Sequence, residues 1–206
     1  MMGRFGLIFG KISLKRLQTN LSFLLFSTTL WANLSEILMS DLQRSLVLLK
    51  PDAIQRGIVG EILTRFERVG ARMIGLKMLV SDKDTAALHY TDDLAQRRGE
   101  HVRKMMIDLI TSGPIVAIAL EGVDMVEVVR KMIGSTEPKS AAPGTIRGDY
   151  SHMSFGYADS KGVGIFNLVH ASGSPEEGVS EVAVWFKPEE LLSYGKIDDQ
   201  FHFPTA

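Results

Sequence analysis

The side chains with the means to do chemistry sit where apolar runs end. Lys50 follows Ser45–Leu49, Asn167 lies within Ile165–Val169, and His170 comes directly after that run. Arg130, Thr136 and Arg147 lie on or beyond the amphipathic stretch Val123–Ile133. Together they offer positive charge, neutral hydrogen-bonding groups and one imidazole. Taken singly, each has a plainer reading. A lysine after a strand is usually solvated, a helix arginine usually lies at the surface, and a strand-end histidine is more often hydrogen-bonded than catalytic. Other chemistries are excluded outright. The chain has no cysteine, hence no disulfide, zinc–cysteine site or thiol nucleophile. It contains no GxxxxGK[ST], GxGxxG or HExxH motif.

The elements that must position these groups are legible from pattern. Ser45–Leu49 is a continuous apolar run stopped by Lys50-Pro51-Asp52, the signature of a buried strand ending in a turn. Val59, Ile62, Leu63, Phe66 and Val69 recur at helical spacing between Gly57 and Gly70. Arg72–Val80 is β-compatible, and Ser81-Asp82 caps a helix running through Tyr90. The charged stretch Thr91–Lys104 leads into a helical pattern ending at Ser112-Gly113-Pro114. Ile115–Leu120 reads as a strand and Val123–Ile133 as an amphipathic helix closed by Gly134. Ser135–Gly164 reads as a long loop, a length that in compact domains is usually functional. Ile165–Val169 reads as the last strand, and a C-terminal helix starts at Ser174-Pro175-Glu176. Reduced to its core the order is β-α-β-β-α-β. This predicts an α+β, ferredoxin-like (split βαβ) fold with a four-stranded antiparallel sheet, an extra loop and a C-terminal helix. That fold hosts enzymes, regulatory modules and RNA binders alike.

Nine short blocks, in order, carry the resemblance that decides among these. They include Leu48-Leu49-Lys50-Pro51-Asp52-Ala53, His89-Tyr90, Thr111-Ser112-Gly113-Pro114 and Val129-Arg130-Lys131-Met132-Ile133-Gly134. The most specific are Pro143-Gly144-Thr145-Ile146-Arg147-Gly148-Asp149 and Asn167-Leu168-Val169-His170-Ala171-Ser172. From about Arg44 to Tyr194 the sequence resembles the nucleoside diphosphate kinase family. The resemblance implies ping-pong transfer of the γ-phosphoryl of a nucleoside triphosphate, chiefly ATP, to a nucleoside diphosphate through a phosphohistidine.

By that resemblance His170 is the nucleophile and Glu181 accepts a hydrogen bond from its other ring nitrogen. Ser172 bonds the glutamate, and Tyr90 lies near the phosphoryl group. Lys50, Arg130 and Arg147 supply charge, and Thr136 and Asn167 hold phosphate and sugar. The residue types fit the chemistry. A histidine nucleophile splits one transfer into two, its ordinary pKa of about 6.5 leaves much of it neutral near pH 7, and arginine forks suit phosphate oxygens. Phosphoryl transfer itself needs mostly positioning and charge stabilisation. Mg²⁺ is expected to ride on the nucleotide phosphates, because no carboxylate cage is visible and no protein metal ligand is assigned. Homo-oligomers, hexamers or tetramers built from dimers, are implied, with contacts expected in Ser135–Gly164. A non-catalytic nucleotide-binding module on the same fold is the alternative, set against it by the presence of the whole residue set.

The sequence departs from the family pattern at three places. Tyr90 to Ser112 is longer by about four residues, which puts Val102 where the family carries a base-stacking phenylalanine, with His101 as a possible substitute. Arg97, Arg98, Arg103 and Lys104 are equivalent candidates for a phosphate contact there. Asp149–Asn167 is longer by about ten residues, and Gly173 stands where an acid is common.

Composition bounds the rest. With 206 residues, 23 Lys+Arg against 24 Asp+Glu and 45% hydrophobic residues, the chain is neither disordered nor strongly polyanion-seeking. No nucleic-acid or membrane partner is expected; the basic run Arg97–Lys104 is interleaved with acids. The charge is uneven, +3 over residues 1–38 and −4 over the remainder. Leu21–Ala32 is an apolar run shorter than the roughly 20 residues of a membrane span. Residues 1–38 are read as a leader, whether a start misplaced upstream of Met39, a targeting segment or a structural arm. Residues 39–206 are read as the kinase domain, and nucleotide chemistry points to the cytoplasm.

Overall fold

The computed structural model describes residues 42–202; the leader expected over residues 1–38 lies outside them. In chain order the main elements are β1 (Leu42–Leu49), α1 (Pro51–Gln55), α2 (Val59–Arg68), β2 (Arg72–Val80), α3 (Lys83–His89), α4 (Asp92–Arg98) and α5 (Glu100–Ile110). Then come β3 (Pro114–Val123), α6 (Met125–Ile133), α7 (Ile146–Tyr150), α8 (Phe155–Lys161), β4 (Val169–Ala171), α9 (Pro175–Trp185) and α10 (Asp199–His202). The strands form one sheet in the order β2-β3-β1-β4, every neighbouring pair antiparallel. This is the ferredoxin-like arrangement expected from the element order.

The apolar run of β1 follows from its central place. Val47 and Leu49 point to a core shared with Ile62 and Phe66 of α2 and Val129 and Ile133 of α6. Leu46 and Leu48 point to the opposite core, with Ala86, Ile110, Val182 and Trp185. Successive strand residues face opposite sides, so a strand covered on both faces must be apolar throughout. Full burial of each such side chain contributes about 1.5–3 kcal/mol, more than the roughly 1 kcal/mol of a helix cap such as Asp82 to Thr85.

Two sequence readings change. The last strand is Val169–Ala171, not Ile165–Val169, so His170 lies inside it, opposite Leu48 of β1. The long loop contains α7, α8 and a 3-10 turn at Pro138–Ser140. Both of its helices are capped by side chains, Thr145 accepting from Gly148 N–H and Ser154 from Tyr157 N–H. In the charged stretch the helices α4 and α5 meet at Gly99, whose φ of 94° favours glycine. Among the described residues no helix is long and apolar enough to cross a membrane.

Candidate active site

The site is assembled where β1 ends beside β4. The chain enters β4 through a γ-turn: Val169 N–H donates to Asn167 O at 2.8 Å, with Leu168 at φ 70°. A leucine in the left-handed region costs on the order of 1–3 kcal/mol and needs surrounding structure to hold it. Here Lys50 N–H donates to Leu168 O at 2.8 Å, and Leu168 N–H donates to Asp52 Oδ2 at 2.9 Å. The Leu168 side chain is buried in the core. The turn brings Asn167 against the Lys50 ammonium and sets His170 opposite Leu48 of β1.

His170 Nε2 lies 3.0 Å from Glu181 Oε1. Ser172 Oγ donates to the other carboxylate oxygen at 2.6 Å and accepts from Leu46 N–H at 3.0 Å. This ties α9, β4 and β1 into one frame and leaves Nδ1 as the other ring nitrogen. Burial, then the cationic Lys50, Arg147 and Arg130, keep the His170 imidazole well below its ordinary pKa, so it is neutral at pH 7.

Lys50 is buried, and its ammonium donates to Asn167 Oδ1 at 2.7 Å. Burial and the Arg147 charge lower its pKa to about 8, against the opposing pull of Asp52. Asn167 Nδ2 in turn donates to Thr136 O at 2.8 Å. Arg147 is buried and spends its donors on backbone: Nη1 on Gly134 O at 2.9 Å, Nη2 on Val169 O at 2.6 Å and Nε on Asn167 O at 3.2 Å. Burial and Arg130 lower its pKa to about 10. Its charge reaches the site, while its fork clamps β4 to the end of α6.

The other expected residues fall around this centre. Tyr90 is buried with its ring centroid 6.4 Å from that of His170, and its hydroxyl has no hydrogen-bond partner. Arg130 and Thr136 are exposed. Arg130 also lines a cavity of about 330 Å³ with Gln43, Asp124, Val126, Glu127, Gly173 and Pro175. Beside Gly173 a carboxylate comes from Glu177, whose Oε2 accepts the Gly173 N–H at 2.8 Å. Val102 is half-buried on α5. Of the four basic candidates nearby, Arg97 pairs with Asp93, Arg103 with Glu100 and Asp92, and Lys104 with Asp108. Arg98 is exposed and has no ion pair among the described residues.

One site residue was missed by the sequence reading: His89. Its ring stands edge-on to His170 with centroids 4.3 Å apart. The only signal was its place next to Tyr90 in a shared block. His89, His170 and Glu181 form the one group of potential metal ligands among the described residues, their ligand atoms within 4.8 Å of one another. Two imidazoles and one carboxylate do not suit Mg²⁺, which takes oxygen ligands. The Lys50, Arg147 and Arg130 charges, all felt at His170, oppose any dication there. The residues present do not form a resident magnesium site.

On this ferredoxin-like sheet, a neutral histidine oriented by a carboxylate and facing Lys50, Arg147 and Arg130 is suited to accept a phosphoryl group. Residues 43–191 match the family described as nucleoside diphosphate kinase. The chain is 44% identical over 163 residues to the nucleoside diphosphate kinase of Borreliella burgdorferi, covering 79% of this chain and 98% of that one. It is 44% identical to that of Pyrococcus furiosus over 80% of this chain and 95% of the relative. Among solved structures it resembles a transition-state mimic of the Borrelia burgdorferi enzyme with bound vanadate and ADP, with TM-score 0.77, 44% identity and coverage of 79% and 97%. It also resembles a Halobacterium salinarum nucleoside diphosphate kinase in complex with CDP, with TM-score 0.67, 34% identity and coverage of 78% and 98%. The chain belongs to the nucleoside diphosphate kinase family.

Proposed function

We propose that this chain is a nucleoside diphosphate kinase working by a ping-pong mechanism through His170. In the first half-reaction the Nδ1 lone pair attacks the γ-phosphorus of a nucleoside triphosphate. The N–P bond forms as the bond from phosphorus to the β,γ-bridging oxygen breaks, and the electron pair leaves with the nucleoside diphosphate. In the second, a terminal oxygen of an acceptor diphosphate attacks the same phosphorus and His170 recovers its lone pair. Glu181 holds the Nε2 proton throughout and balances the charge that the substituted ring gains. Lys50, Arg130 and Tyr90 face the moving group, and Thr136 and Asn167 hold phosphate and sugar. Arg147 acts through its charge and by clamping the turn. Charge placed in advance where it develops is what this reaction requires.

The observation that carries this reading is the 3.0 Å contact of His170 Nε2 with Glu181, because it commits one ring nitrogen to a proton and the other to attack. The ADP and CDP complexes of the relatives support substrates of both base classes. Val102 offers no ring to stack on, which suits loose base selection. Magnesium would arrive on the nucleotide phosphates. The kinase domain is assigned to residues 39–206, a cytoplasmic setting fits its substrates, and homo-oligomers are expected.

Incubation with γ-labelled ATP tests the mechanism. The full chain takes up an acid-labile label, and the His170→Ala variant takes up none. Acid-stable label, or label in the variant, overturns it; no label in the wild type favours a non-catalytic module.

A further inference from the structure

His89, the last residue of α3, has a side chain fully shielded from solvent, and neither ring nitrogen has a hydrogen-bond partner. Buried polar groups are seldom left unpaired, and one that is so kept beside a reactive group calls for a use. The ring is wedged among His170, Tyr90 and Trp185, with centroids at 4.3, 4.6 and 5.7 Å. Its Nδ1 lies 3.7 Å from Glu181 Oε1, the oxygen that sits 3.0 Å from His170 Nε2. Glu181 Oε2 is already taken by Ser172. One carboxylate oxygen therefore faces two imidazoles, one bonded and one a few tenths of an ångström beyond bonding distance. Catalytic hydrogen bonds are often long before the reacting complex forms and tighten within it.

We propose that His89 is a positioning residue for phosphoryl transfer: its Nδ1–H closes onto Glu181 Oε1 as His170 is phosphorylated, keeping that carboxylate ionised and aimed at His170 Nε2. The inference rests on His170 being the nucleophile and adds a task for the second histidine. Attack through Nδ1 leaves a ring with Nε2 protonated and positive charge spread over it. Glu181 offsets that charge only as a carboxylate. Burial raises the Glu181 pKa, while the Ser172 hydroxyl opposes the rise by hydrogen bonding to the carboxylate. The titratable and charged groups around Glu181 are His89 and Tyr90 at the end of α3, His170 on β4 and Lys50 at the end of β1. Burial, His170 and Lys50 keep His89 neutral, with a pKa of about 3 despite the Glu181 charge, so it can donate a proton without adding charge. The uncommitted imidazole of His89 lies 3.7 Å from Glu181 Oε1 and can serve as the donor.

Nitrogen NMR of the full chain reads the tautomer of His89 directly, before and after phosphorylation by ATP. We expect the proton on Nδ1 in both states, with a stronger hydrogen bond after phosphorylation. A proton on Nε2 in both states overturns the proposal. In single-turnover phosphorylation at pH 6, His89→Phe keeps the ring volume but removes the donor, and should slow labelling of His170 roughly ten- to hundredfold. Its acid limb moves to higher pH, and the KM for nucleotide stays close to wild type. His89→Asn places an amide N–H near the Nδ1 position and should return the limb toward wild type. Equal profiles for Phe and Asn, or a Phe profile matching wild type, mean that His89 only packs. If the Phe variant fails to fold, the tautomer measurement decides. If wild-type protein takes no label, the kinase reading fails separately, and the His89 tautomer in the unphosphorylated chain is still read.

Discussion

Lys50 shows how one residue's environment sets a measurable property. Its amine is buried with a neutral partner and a neighbouring guanidinium, so its pKa falls to about 8. The charged form is therefore present below about pH 8 and is lost as pH rises through that value. If Lys50 stabilises the moving phosphoryl group, kcat/KM falls above about pH 8, since that ratio reports the free enzyme. The limb in kcat lies at higher pH, because bound polyphosphate favours the charged amine. Lys50→Gln should remove the limb and lower the rate by about a hundredfold or more, as loss of one charge-stabilising donor does. A limb that persists in Lys50→Gln belongs to another group. His170 itself was legible from its block, whereas its protonation state was not. Neutrality at pH 7 comes from burial and from Lys50, Arg147 and Arg130, which lie 120, 23 and 40 positions away in the chain.

At the scale of elements, β4 and α9 carry the site and β1 holds both. Gly178 on α9 faces the Arg44 carbonyl so closely that a Cβ there would collide with backbone. Backbone cannot swing aside as a flexible side chain can. Gly178→Ala should push α9 from β1, costing about 1–3 kcal/mol by overpacking and displacing Glu181 three residues on. Denaturant unfolding should show a lower midpoint, and phosphorylation should slow. Unchanged stability would mean that the helix shifts freely. The misplaced last strand belongs to this scale too. Ile165 and Phe166 are β-compatible in type, but the backbone reverses at Leu168, in a conformation leucine avoids when free. Lys50, Asp52, the Arg147 guanidinium and the core hold it there. No local propensity signals such a turn. The capped helices α7 and α8 were hidden for a different reason, their shortness within a stretch rich in Gly, Pro and Ser.

Over the whole molecule, β2 is a sheet edge with a stripe of exposed apolar residues: Leu76, Met78 and Val80 are 53%, 60% and 66% exposed. Edges of this kind invite pairing with another chain. Light scattering should give a mass that is a multiple of the protomer, and Met78→Glu should reduce it while leaving the fold intact by circular dichroism. A wild-type monomer at micromolar concentration counts against assembly through this edge. The negative charge of the catalytic portion coexists with Lys50, Arg130 and Arg147 gathered around one histidine, so net charge gave no warning of the site.

Sequence alone determined the core β-α-β-β-α-β order and the family resemblance and supplied the candidate site residues other than His89, because periodicity and ordered blocks are written along the chain. Tertiary structure decided what depends on distance and dielectric. It brought His170 within 3.0 Å of Glu181, turned the Arg147 fork onto backbone, lowered Lys50 and buried His89 beside the same carboxylate. Those properties arise from groups far apart in sequence sharing one shielded volume, and the order of residues does not measure that.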